Sequence, residues 1–160
     1  MEYLENDDIF YMKQALEEAH KAAEELEVPV GAVIVHDKKI ISRGRNHRES
    51  LKNSLCHAEI EAIHNACETL QRWRLTNCTM YVTLEPCPMC AGAIINARMK
   101  KIYIGTLDEK TGAAGSVLNL FEDYKFNHEV EVEKGIMKEQ CESMLKDFFK
   151  NLRRMKKANK

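Results

Sequence analysis

Apolar residues recur three and four positions apart at Ile9, Met12, Ala15, Leu16, Ala19, Ala22, Ala23 and Leu26. That spacing predicts an amphipathic helix, with Asp7 or Asp8 as its N-cap and Pro29 beyond its end. Two short β-rich runs follow, 30–35 and 39–43, separated by His36-Asp37-Lys38, which predicts a hairpin with a tight turn. Residues 44–53 are polar and irregular and read as a loop. Ile60, Ile63, Ala66, Cys67 and Leu70 mark a second helix over 57–70, and 79–84 reads as a third strand. Proline is tolerated in a first helical turn, so 88–97 is read as a short helix opening beside two cysteines. A strand over 101–105 and a loop-rich stretch over 106–127 come next. Val130 and Val132 alternate with Glu129, Glu131 and Glu133, the pattern of an edge strand with one wet face. An amphipathic helix over 137–154, on Met137, Cys141, Met144, Leu145, Phe148 and Phe149, closes the chain. The order α-β-β-α-β-α-β-β-α, without repeat or linker, predicts an α/β fold with a central sheet between helices, a three-layer α/β/α sandwich.

Length and composition narrow the class. A chain of 160 residues, 44% hydrophobic and 31% charged, fits one domain over 1–160 that buries its own core and argues against a disordered or low-complexity protein. No apolar run approaches the roughly 20 residues of a membrane span. The N-terminus is acidic where a secretory signal is basic and then apolar, so a cytoplasmic location and no membrane partner are expected. The net charge of −1 hides an asymmetry. Residues 1–27 carry nine acids against two lysines, whereas 150–160 carry six Lys or Arg and no acid, so a polyanion, if bound, is expected to meet the C-terminal end.

Six cysteines without an export signal are expected to stay reduced, which makes metal binding the chemistry to examine. His57-Ala58-Glu59 opens one predicted helix, and Pro86-Cys87-Pro88-Met89-Cys90 opens another. Cys87 and Cys90 lie one helical turn apart and can face one ion, with His57 as third ligand. Zinc takes such ligands in a tetrahedron, and a catalytic site leaves the fourth corner to water, whose pKa it lowers to about 7. Glu59 is then free for proton work. On an ideal helix His57 and Glu59 point nearly opposite ways, so sharing a pocket requires His57 at the irregular first turn. The competing reading is a structural site closed by Cys56 or Cys67, which leaves Glu59 without a task. Cys78 and Cys141 fall in apolar patterns and read as small core residues, as does Cys67. His20, His36, His47 and His64 lack paired ligand spacing, while His128 beside Asn127 is harder to dismiss.

His-x-Glu followed by Pro-Cys-x-x-Cys is the signature of zinc-dependent nucleobase deaminases. With these residues in hand, the chain resembles the bacterial tRNA-specific adenosine deaminases nearly end to end. The resemblance is carried by Glu27-Val28-Pro29-Val30-Gly31-Ala32-Val33, by 81–93 around the zinc segment, by 110–116, by Asn127-His128 and by Asp147-Phe148-Phe149. It implies a cytidine-deaminase-like fold with a central five-stranded mixed sheet, a homodimer, and hydrolytic deamination of adenosine to inosine at the wobble position of a tRNA anticodon loop. It implies His57, Cys87 and Cys90 as ligands of one Zn²⁺ per subunit and Glu59 as proton shuttle. Asn46 is implied to contact the target nucleoside, with Val30 and Leu84 lining its pocket. Asp108, Lys110, Asn127, His128, Phe148, Phe149 and Arg153 are implied to contact or shape the path of flanking nucleotides. One departure is visible: the family's usual Asp-Pro-Thr-Ala before His-Ala-Glu is Asn53-Ser54-Leu55-Cys56 here, which puts an extra thiol beside a ligand.

The residues leave alternatives to the fine assignments. Phe148 and Phe149 continue a helical apolar pattern and can be core, and a basic last turn also complements the helix dipole. The same zinc chemistry serves enzymes of free bases such as guanine or cytosine, and a zinc-stabilised RNA-binding module is the non-catalytic alternative, marked by a protein ligand in the fourth corner.

Overall fold

Alternation along the strands decides the architecture. The computed structural model describes residues 2–159, with side chains from residue 7 onward. Helix α1, Glu2–Glu24, leads into strand β1, Gly31–His36, which turns back as β2, Lys39–Arg45. Helix α2, Ala58–Leu70, precedes β3, Thr79–Leu84; helix α3, Pro88–Asn96, precedes β4, Lys101–Thr106; and β5, Glu131–Lys134, precedes α4, Lys138–Ala158. The strands form one mixed sheet ordered β2-β1-β3-β4-β5, in which β1 is antiparallel to β2 and β3 while β3, β4 and β5 run parallel. Helix α3 is the crossover that a parallel β3–β4 pair requires.

Both faces of the sheet are covered, so its central strands are apolar throughout. Ala32, Ile34, Met80, Val82, Ile102 and Ile104 point to one side and pack on Ala58, Ala62 and Ala66 of α2 and Ile94 and Ile95 of α3. Val33, Val35, Tyr81 and Tyr103 point to the other and pack on Tyr11, Met12 and Ala15 of α1 and Cys141 of α4. The small alanines of α2 let that helix lie close, and Gly44 on β2 lets it lie closer still. A Cβ there sits 2.2 Å from the Ala58 carbonyl oxygen. The first turn of α2 is thereby pressed against β2.

Some boundaries move from the sequence expectation. Helix α1 begins at Glu2, upstream of Asp7 and Asp8, because nothing in that stretch breaks a helix. Asp8, released from capping, accepts a hydrogen bond from the Tyr81 hydroxyl and ties α1 to β3. Strand β2 runs on through Gly44 and Arg45, where the polar sequence predicts loop, because both pair with β1. The hairpin closes through Asp37 and Lys38, both at positive φ (50° and 62°), as the two-residue turn of a right-twisted hairpin requires. Val130 and the short β5 lie at the sheet edge, as their alternation predicts.

Because backbone cannot yield as a flexible side chain does, Gly44→Ala is expected to destabilise the fold by about 1–3 kcal/mol. Urea unfolding measures this. A midpoint equal to that of the native sequence contradicts the close approach of β2 and α2.

Candidate active site

The N-termini of α2 and α3 meet at the C-terminal end of β3, the central strand of the sheet. His57 is the N-cap of α2, with extended backbone (φ −84°, ψ 157°), and Cys87 is the N-cap of α3, also extended (φ −73°, ψ 173°). Neither side chain caps its helix, so both are free to point at a common centre. Pro88 occupies the first turn of α3, where its missing N–H costs nothing. Cys90, one turn along, is fully buried beneath the site.

His57 Nδ1 lies 3.6 Å from Cys87 Sγ and 3.5 Å from Cys90 Sγ, and the three ligand atoms lie within 4.8 Å of one another. A tetrahedral zinc with bonds of about 2.1 Å to nitrogen and about 2.3 Å to sulfur sets those atoms roughly 3.6 Å apart. The donors therefore fit a single zinc ion. No fourth protein ligand joins the cluster among the described residues, and neither Cys56 nor Cys67 belongs to it. Thiol protons are shared unevenly across the triad. A hydrogen bond from the Cys90 thiol, with His57 alongside, pulls Cys87 down to about 4 against its half-burial. Cys90 is raised by the same bond and by burial, and the bond to Cys87 raises His57.

Glu59 follows two residues after His57 yet faces the same centre, because His57 precedes the helix proper while Glu59 lies within its first turn. Its side chain is 3% exposed, and burial pushes its carboxyl up to about 7 even with His57 favouring the charge. A carboxyl poised there can both take and give a proton at neutral pH.

These groups open into a cavity of about 150 Å³ whose lining includes Val28, Val30, Asn46, Arg48, Glu59 and Leu84 together with Asp108 and Thr111. The fold thus brings Val30, Asn46, Leu84 and Asp108 together with the triad. The buried Asn46 amide is oriented by donating to the Val28 carbonyl (3.3 Å) and accepting from the Arg48 N–H (3.0 Å). The Asp108 carboxylate accepts from the Lys110 and Thr111 N–H groups and the Thr111 hydroxyl, shaping its own loop.

The remaining expected contacts lie outside this cavity. Lys110, Asn127 and Arg153 are exposed. His128 is tied at 2.6 Å to the Met99 carbonyl, beside a second surface hollow with Tyr124 and Phe126. On α4, Phe148 is buried and Phe149 is 41% exposed, the rings meeting edge to face at 5.4 Å.

Sequence reading misses Val28, Arg48 and Thr111, and it misses two buried acids, Glu27 and Glu85. Glu27 accepts from the Glu49 N–H (2.9 Å), the Ser50 N–H (2.8 Å) and the Ser50 hydroxyl (2.8 Å). Glu85 accepts from the N–H groups of Asp108 (3.0 Å), Ala114 (2.9 Å) and Ser116 (3.1 Å) and from the Ser116 hydroxyl. The one signal in the sequence is local: each acid is followed within two residues by a proline close to a strand end, Pro29 before β1 and Pro86 after β3.

Residues 6–153 match the family model of the MafB19-like deaminases. The chain is 49% identical over 151 residues to the tRNA-specific adenosine deaminase of Bacillus subtilis (strain 168), covering 94% of each, and 47% identical over 150 residues to that of Haemophilus influenzae, covering 93% of this chain and 87% of the relative. Its fold is similar, with TM-score 0.82 and 41% identity, to a structure solved in studies of A-to-I editing by tRNA:A34 deaminases at the wobble position of transfer RNA, over 85% of this chain and 99% of that one. A guanine deaminase from Bacillus subtilis is more distant, at TM-score 0.60 and 29% identity over 74% of this chain and 85% of that one.

On this geometry His57→Ala loses zinc on dialysis whereas Cys56→Ala keeps about one ion per chain, read by metal analysis; zinc retained without His57 means that Cys56 has replaced it. For Glu27, burial raises the carboxyl but the Ser50 and Glu49 N–H groups outweigh it and hold it below the usual carboxylate range. Its stabilisation is therefore complete above the ordinary glutamate pKa and is lost as pH falls through the depressed native value. Glu27→Gln should lose less stability than the native chain over that acid descent in denaturant titrations; equal losses contradict the assignment.

Proposed function

The chain belongs to the family of the bacterial tRNA-specific adenosine deaminases, its MafB19-like deaminase region spanning nearly its whole length, and we propose that it converts adenosine to inosine at the wobble position of a tRNA anticodon loop. The observation that carries this reading is a three-ligand zinc site, without a fourth protein ligand among the described residues, beside a buried carboxyl inside one small cavity. A purely structural zinc site has no use for either the open corner or Glu59.

Zinc held by His57, Cys87 and Cys90 supplies a water that ionises near neutral pH. The balance of the reaction is one water consumed and one ammonia released, with the C6–N bond broken and a C6–O bond made. Glu59 moves two protons, one from the attacking water to N1 of the adenine and a second from the oxygen newly bonded to C6 to the departing amine, which leaves the 6-oxo, N1–H base and ammonia. Burial raises its carboxyl above the usual glutamate value, the direction required of a group that must give a proton as well as take one. Asn46 holds the base edge, and Val30 and Leu84 flank the ring. A base stacked in a loop must be everted to reach this depth, and an anticodon loop makes that inexpensive because the base is unpaired.

Around the mouth, Asp108 and Lys110 guide the flanking nucleotides, with Asn127, His128 and Arg153 further out. The exposed Phe149 offers a face for stacking, and the buried Phe148 braces it. The basic end of α4 within 150–160 neutralises phosphates. Residues 1–160 act as one deaminase domain, and the family resemblance supports a homodimer. The tRNA substrate supports a cytoplasmic location, and no helix among the described residues is long and apolar enough to cross a membrane.

Purified protein offered an anticodon stem-loop with adenosine at the wobble position, alongside free adenosine, guanine and cytosine, should yield inosine in the RNA alone. Product from a free base and none from the RNA moves the chain to the free-base enzymes. Glu59→Gln should keep its zinc and lose about 10²–10⁴-fold in rate; activity near that of the native chain contradicts its role. Truncation after Phe149 should weaken RNA binding and flatten its salt dependence by roughly 0.7 in log–log slope for each phosphate that the tail no longer neutralises. An unchanged slope leaves the tail as a solvated helix end.

A further inference from the structure

The walls of the pocket mouth are loops with little hydrophobic anchoring. Residues 48–55 are all exposed, Leu51 and Leu55 included, as are Leu107, 109–111 and Val117. Apolar burial in them is confined to Ala113 and Ala114 of the second loop, and backbone hydrogen bonds such as Ala113 N–H to the Pro86 carbonyl (2.8 Å) and Leu51 N–H to the His47 carbonyl (2.9 Å) supply part of their order. Two buried acids add a further hold on these loops, which carry Arg48 and Thr111 and adjoin Asn46 and Asp108. Glu27 is completely buried and Glu85 is 2% exposed, and neither forms an ion pair with a described cation within 4.0 Å. A buried carboxylate without such compensation is costly. Here it is offset only by N–H and hydroxyl donors, and every one of those donors belongs to a mouth loop: Glu49 and Ser50 for Glu27, and Asp108, Ala114 and Ser116 for Glu85.

We propose that Glu27 and Glu85 are positioning residues, two buried carboxylates that each fix one wall of the substrate mouth independently of the metal ligands. The design is doubled. Glu27 immediately precedes Val28 of the pocket lining and accepts from Glu49 and Ser50, the two residues after Arg48; Glu85 follows Leu84 of the lining and accepts from Asp108, Ala114 and Ser116, on either side of Thr111. Each acid thus ties a strand terminus that bears pocket residues to the loop that faces it. Gly112 provides an independent sign that the second loop is shaped around the carboxylate, since a Cβ there sits 2.3 Å from Glu85 Cδ and 2.4 Å from both its oxygens. Glutamine cannot replace either acid, because its NH₂ faces donors where an acceptor is needed. The substrate consequence of the proposal rests on the RNA-deaminase reading, whereas its loop-holding half stands apart from it.

The test uses the full zinc-loaded chain in five forms: native, Glu27→Gln, Ser50→Ala, Glu85→Gln and Gly112→Ala. Amide hydrogen exchange should rise at Glu49 and Ser50 in the first two variants and at Asp108, Ala114 and Ser116 in the last two, each pair leaving the other loop and the sheet unchanged. Zinc should stay near one per chain, and KM for the anticodon stem-loop should rise about tenfold in the glutamine variants while kcat changes less. Gly112→Ala, which displaces the loop but leaves the carboxylate, should match Glu85→Gln. Unchanged exchange at the named amides overturns the proposal. So does raised exchange with native KM and kcat, or a loss of zinc that tracks the loss of activity. A native chain that deaminates no RNA defeats the functional reading instead, and the exchange measurements still decide whether the acids hold the loops.

Discussion

Two helices must begin over the same strand end, each with its first ligand still in extended backbone. Were His57 one residue further into α2, helical geometry would send it away from Glu59, and the metal ligand and the buried carboxyl would occupy different faces. The N-cap position resolves this, because its backbone is extended while the residues after it are helical. Cys87 repeats the device on α3. The sheet supplies the alignment: β1 and β3 run antiparallel, β3 and β4 parallel, and Gly44 allows the start of α2 to press against β2. The chemistry follows from where secondary structure stops and starts.

Three buried glutamates around this site show how environment divides one residue type into different tasks. On Glu59 burial outweighs its own backbone N–H, the nearby His57 and the Cys90 thiol, and raises the carboxyl to about 7. Burial acts on Glu27 as well, but the Ser50 and Glu49 N–H groups overcome it. In Glu85 burial is likewise offset, by the Ser116 hydroxyl and by three backbone N–H groups. One carboxyl is raised and two are lowered, the difference being the hydrogen-bond donors that face each. Environments that push like groups apart in this way separate chemical from architectural roles.

Much of the fold and the metal site is legible in the sequence because it rests on short-range rules. Period-2 and period-3.6 apolar spacing marks the helices and strands, and Cys-x-x-Cys with a preceding proline marks two ligands at a helix start. The conflict between His57 and Glu59 on one helix even forces the irregular turn that the structure contains. The start of α1 is not legible, because Asp7 and Asp8 satisfy the rules for a cap equally well inside a longer helix, and Asp8 finds its partner in Tyr81, far along the chain. Gly44 and Arg45 read as polar loop because pairing with β1 is a tertiary fact. Glu27, Arg48, Glu85 and Thr111 escape for the same reason: an acid beside a strand looks like a surface residue until the loop that covers it is in place. The expected flanking contacts on 127–128 and α4 lie outside the cavity that gathers the rest, with His128 tied to Met99 and Phe148 turned into the core.

A hydrolytic site here depends on a zinc ion held by one nitrogen and two sulfurs with a corner left to water. Zinc-edge X-ray absorption on the loaded full-length protein counts those neighbours directly. Two sulfurs at about 2.3 Å and two light atoms at about 2.0–2.1 Å are expected, one of the light atoms being exchangeable for a small anion. A third sulfur in the shell, contributed by Cys56 or Cys67, would close the corner and contradict a hydrolytic site.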